Sequence, residues 1–148
     1  MYDNLGLETA WKRYDTILVS DGGGHFKPEE KPNQDWARHA YRVLDLVDSQ
    51  VRALRTRQIM TLFASKQRKG SYWGIRQNIT VYGAKPLLQC PMDRTTELAL
   101  TPTRLQRMPD GLQERLINWG YAICDASLRR YVDAQLPAPS FPYQAVGV

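Results

Sequence analysis

Acid–base, nucleophilic and anion-binding chemistry each need particular residue types at set spacings, and here they gather around Asp15-Thr16-Ile17-Leu18-Val19-Ser20-Asp21-Gly22-Gly23-Gly24. Asp21 and the nearby His25 are an acid/base pair if the glycine turn folds one toward the other. The amides of Gly22, Gly23 and Gly24 are candidates for cradling a phosphate or an oxyanion. Plainer readings stand beside each of these. A lone loop histidine is usually solvated, and Asp21 reads equally well as a turn residue bonding its own loop. The glycine run matches neither G-x-x-x-x-G-K-[ST] nor G-x-G-x-x-G, so a tight strand-to-loop turn explains it as well. A pairing of Ser20 with Asp21 is weaker still, because neighbouring strand residues point to opposite faces.

The remaining chemistry-bearing residues add little. Ser20, Ser49, Ser65, Ser71, Ser127 and Ser140 are the serines, and none lies in G-x-S-x-G. His25 and His39 are the histidines, and no metal-ligand spacing surrounds them or Cys90 and Cys124. Basic residues near Tyr72, Trp73 and Arg76 are the raw material of a single-strand nucleic-acid platform. An aromatic core beneath a solvated basic face accounts for the same letters, and no specific nucleic acid is expected.

These residues must be held by elements. Thr16 to Val19 is apolar or β-branched without alternation, the pattern of a strand buried on both faces of a parallel or mixed sheet. In open α/β sheets ligands bind beyond the C-terminal strand ends, where Asp21 stands. Ahead of this strand a short helix is expected from Glu8 to Tyr14, with Leu7 and Trp11 sharing a face. His25 to Asn33 is a charged, proline-bearing loop, after which Asn33 or Asp35 caps a helix.

Apolar residues at 36, 40, 43, 47, 51 and 54 then keep helical spacing, predicting one long amphipathic helix or two in sequence. The arginines of its second half complement the helix dipole. Lys66 to Gly70 reads as a turn, and Ser71 to Ile79 as a strand interrupted by Gly74. A short helix is expected near Thr95 to Ala99, with further starts at Thr101-Pro102 and Met108-Pro109-Asp110. A final helix runs from Leu112 to about Val132, in which Gly120 suggests a close helix contact. Leu136 to Val148 reads as a loose proline-rich tail.

The chain has 148 residues, enough for one ordinary domain, with 43% hydrophobic and 24% charged residues, which suits a folded chain. No apolar run approaches the roughly 20 residues of a membrane-spanning helix. Two separated cysteines suit a reducing compartment, hence a cytoplasmic expectation. A net charge of +5 permits contact with an anionic membrane surface or nucleic acid. One strand buried on both faces needs neighbours that this chain hardly offers. A C-terminal portion of a larger α/β domain fits that shortage, with a small complete domain as the alternative.

A family resemblance bears on the same stretches. Tyr2-Asp3-Asn4-Leu5-Gly6-Leu7-Glu8, Trp11 and Leu18-Val19-Ser20-Asp21-Gly22-Gly23 resemble the C-terminal half of bacterial patatin-like phospholipases. Tyr72-Trp73-Gly74-Ile75-Arg76, Thr96-Glu97-Leu98, Pro102-Thr103-Arg104-Leu105 and the run Leu112 to Tyr121 are similar in the same order. The resemblance implies a mixed sheet flanked by helices over 1–135, ending in the proline-rich segment 136–148. It also implies a lipid acyl hydrolase with a Ser-Asp dyad, a lipid or ester substrate, and no metal or organic cofactor. In that family the G-x-S-x-G serine, the oxyanion loop and the D-G-G-V aspartate all precede the segment corresponding to Tyr2. No catalytic residue is therefore expected in this chain. Asp21-Gly22-Gly23 has the letters of the dyad motif but the position of a later strand end. Asp3, Asn4, Gly6, Asp21, Gly22 and Gly23 remain as candidates for loops beside a site.

Overall fold

Residues 4–24, 30–31, 34–83, 86–102 and 104–148 are described by a computed structural model of the chain. Tyr2, Asp3, His25, Asn33 and Thr103 lie outside them, as does most of the expected 25–33 loop. The elements are α1 (Leu7–Arg13), β1 (Thr16–Asp21), α2 (Trp36–Ala64), β2 (Lys69–Gly74), α3 (Met92–Ala99) and α4 (Asp110–Tyr131). Single 3-10 turns cover Asn4–Gly6 and Ile79–Tyr82. The Lys69 N–H donates to the Asp15 carbonyl and the Ile75 N–H to the Asp21 carbonyl, a constant offset along both strands. β1 and β2 are therefore parallel, and α2 is the connection between them. The fold is mixed α/β, as expected.

The chain divides into two compact units, Met1–Ile17 with Gly24–Lys69, and Leu18–Gly23 with Gly70–Val148. In the first, Leu7 and Ile59 are fully buried, and Arg55 bonds Glu8 at 3.2 Å while lying over the Trp11 ring. α2 is one continuous helix, capped by Asp35, whose carboxylate accepts the Arg38 N–H. Its last turn holds no basic residue. The dipole therefore does not explain the arginines, because that effect fades within the final turn. Arg42, Arg52 and Arg55 instead pair with Asp45, Asp48 and Glu8. The apolar stripe itself, Trp36, Val43, Leu44, Val47, Val51 and Leu54, faces solvent.

In the second unit the core is Trp73, Ile79, Tyr82, Leu98, Trp119, Ala122, Ile123 and Val148. The Trp119 indole N–H donates to the Ile75 carbonyl at 2.7 Å, so a large apolar ring is buried without an orphaned donor. Several expectations are corrected here. β1 alternates, with Ile17 and Val19 buried and Leu18 51% exposed. A two-stranded sheet among the described residues covers only one of its faces. β2 starts at Lys69 and stops at Gly74, because the Gln77 N–H and side chain both turn back onto Gly74. α3 begins three residues early, at Met92. No helix starts at Thr101-Pro102, whereas Met108-Pro109-Asp110 does open α4. The 136–148 segment is docked. Asn118 donates to the Tyr143 and Gly147 carbonyls and accepts the Tyr143 N–H, and Val148 is buried.

Candidate functional site

The parallel register sets the C-terminal ends of β1 and β2 side by side, and a shallow cleft of about 190 Å³ opens there. Asp21, Gly23, Tyr72, Gly74, Ile75, Arg76 and Gln77 line it. Asp21 is held from two sides. One carboxylate oxygen accepts the Gly23 N–H at 2.8 Å, and the other accepts the Tyr72 hydroxyl at 2.7 Å. Tyr72 lies two residues before the end of β2, so strand alternation and the register together aim it at Asp21. The Arg76 guanidinium donates to the Gly23 carbonyl at 3.2 Å.

Asp21 therefore bonds its own turn, the plainer of the readings of the glycine run. The Gly23 amide is already bonded to Asp21, so it is not free to cradle an anion. A methyl group added at Gly22 or Gly24 would meet nothing within 4 Å, and neither residue lies in the left-handed region. The turn thus needs no glycine at those two positions. Gly6 is different: its φ of +64° lies in the left-handed region that glycine enters at no steric cost. It stands at the N-cap of α1. Of the candidate loop residues, Asp21, Gly22 and Gly23 share the second unit, whereas Asn4 and Gly6 belong to the first.

No nucleophile with a base is assembled among the described residues. Ser20 is exposed. Ser71 and Ser127 are fully buried, and their hydroxyls bond each other and the Ser127 and Tyr72 carbonyls. Among the described residues neither hydroxyl bonds an imidazole or a carboxylate, so no general base is set on either serine. His39 is exposed on α2. Cys90 and Cys124 are free thiols. Burial pushes the Cys90 thiol up to about 11, leaving it protonated and a poor nucleophile at neutral pH.

Sequence reasoning missed Tyr72 as the partner of Asp21, and Gln77 altogether. The signal for Tyr72 was its place in a strand, but its partner depends on the register, which no local pattern carries. Gln77 acts through its amide oxygen, which accepts the Gly74 N–H at 2.7 Å and lies 2.5 Å from the Tyr82 hydroxyl. Compared with protein-family models, curated proteins and solved structures, the chain matches none of them.

Proposed function

We propose that this chain is the C-terminal part of a patatin-like lipid acyl hydrolase, carrying loops that border the active site but not its nucleophile. The observation that carries this reading is the ordered series of similar stretches from Tyr2-Asp3-Asn4-Leu5-Gly6-Leu7-Glu8 to Trp119-Gly120-Tyr121. A parallel strand pair ending in Asp21 and opening into a cleft is compatible with it. In the complete enzyme a serine from the other half would attack an ester carbonyl of a lipid, with an aspartate as its base. Asp21, tied to Tyr72 and to its own turn, fills a positioning role in this account.

The experiment is an assay of the purified chain with p-nitrophenyl butyrate. The expected result is no turnover above the buffer rate. Turnover that disappears in Asp21→Asn would place a catalytic carboxylate in this chain and overturn the assignment.

A second reading, a non-enzymatic module for anionic membrane surfaces or nucleic acid, draws on the uncovered stripe of α2 and its arginines. A helix with an apolar stripe and an arginine-bearing opposite face can lie in a lipid interface. Against it, Arg42, Arg52 and Arg55 each already face a carboxylate. Binding to phosphatidylglycerol vesicles that falls with salt and with Arg57→Ala would favour this reading. Unchanged sedimentation would remove it.

A further inference from the structure

Beside the strand-end cleft lies a second one of about 240 Å³, lined by Arg76, Gln77, Asn78, Met92, Thr95, Thr96, Ala99 and Leu100. That is below the roughly 300–1,000 Å³ of sites for drug-sized ligands, so an occupant is small. Counting hydrogen-bond capacity around it shows what kind of occupant. The Gln77 amide oxygen is fixed by the Gly74 N–H, a group that can only donate, so the amide nitrogen is turned away from that bond as a donor. The Asn78 oxygen accepts the Thr80 N–H at 3.0 Å, leaving its nitrogen with only the Met92 sulfur, a weak acceptor 3.5 Å away.

Among the described residues the Arg76 guanidinium donates to the Gly23 carbonyl at 3.2 Å and forms no ion pair with a carboxylate. The Thr95 and Thr96 hydroxyls turn their protons to the Met92 carbonyl. Among the described residues, Arg76 thus has no carboxylate partner, and the amide nitrogens of Gln77 and Asn78 have no oxygen acceptor. The lining contains no Asp or Glu, and Met92, Ala99 and Leu100 supply apolar carbon.

We propose that this cleft binds a small aliphatic carboxylate, its oxygens on Arg76, Gln77 and Asn78 and its chain against Met92, Ala99 and Leu100. One guanidinium matches the single charge and planar fork of a carboxylate, and charge-assisted bonds to both oxygens set its orientation. The proposal is independent of the acyl-hydrolase reading.

The test is a titration of the isotope-labelled full chain with sodium hexanoate, followed by amide NMR shifts. Hexan-1-ol and inorganic phosphate are the comparisons. The expected result is saturable binding that moves the amides of Gly74, Gln77, Asn78 and Thr96, and that exceeds hexan-1-ol by about tenfold or more. Asn78→Asp keeps the acceptor for Thr80 while replacing the free donor by a negative charge, and should weaken hexanoate binding by at least about tenfold. Arg76→Gln, an exposed position whose loss leaves the core intact, should weaken it similarly. Equal binding of hexanoate and hexan-1-ol, shifts confined to other residues, or full affinity in Arg76→Gln would overturn the proposal. Phosphate binding at these residues without hexanoate binding would overturn it too, by removing the role of the apolar wall.

Discussion

Asp21 uses both carboxylate oxygens locally, one on the Gly23 amide and one on the Tyr72 hydroxyl, so it stiffens the strand end. A charge-assisted bond of this kind contributes about 1.5–3 kcal/mol, less when part-exposed. Tyr72→Phe is expected to lower stability by about 1–2 kcal/mol in urea denaturation, and a loss near zero would mean the bond is idle. Cys90 gives a pH prediction. Its thiol titrates near 11 in the folded chain against an ordinary 9.0, so the folded state holds that proton longer. The stability this supplies is complete below pH 9 and is lost as the pH rises toward 11. Alkylation of Cys90 by iodoacetamide in the folded protein should accordingly lag behind that of a free thiol at pH 9. Equal rates would show that burial does not protect it.

At the scale of elements, α4 shows why pattern and packing can part ways. Helical spacing of apolar residues from Leu112 onward locates the helix, and proline with aspartate marks its start. Gly120 invites the inference of a close neighbour, yet a methyl group there meets nothing within 4 Å. Gly120→Ala should therefore stabilise the protein by about 0.5–1 kcal/mol, read as a raised melting temperature. A destabilised variant would reveal a neighbour the structure does not place there. Asn118 works the other way. It reads as an ordinary polar helix residue, but it is fully buried and holds three bonds to the 143–147 backbone. Asn118→Ala orphans a carbonyl pair and an amide at once, and is expected to cost more than about 2 kcal/mol and to free the terminal segment to proteolysis. Three prolines hid that docking, because the segment's bonds go to a helix far away in sequence.

At the scale of the molecule, what was legible in the sequence is the set of elements: α2 from its apolar spacing and Asp35 cap, β1 from its apolar run, and α4 from its start signal. What was not legible depends on partners. Burial of Leu18 presumes a neighbour on the second face of β1, and the exposed row from Trp36 to Leu54 presumes a cover for α2. The register that joins Tyr72 to Asp21 emerges only when the strands pair. Because Val47 is exposed, Val47→Lys should change stability by less than about 0.5 kcal/mol in a thermal melt, while reducing any self-association or surface binding that uses the stripe. A large loss of stability would show the stripe to be internal packing.

The proposed acyl-hydrolase reading needs a serine nucleophile, which the patatin-like family carries ahead of the segment that Tyr2 to Glu8 resembles. The decisive measurement is to read the coding DNA upstream of Met1 in all frames. The expected result is an in-frame G-x-S-x-G followed by a D-G-G-V joined to Tyr2. A stop codon preceded by unrelated sequence would contradict it.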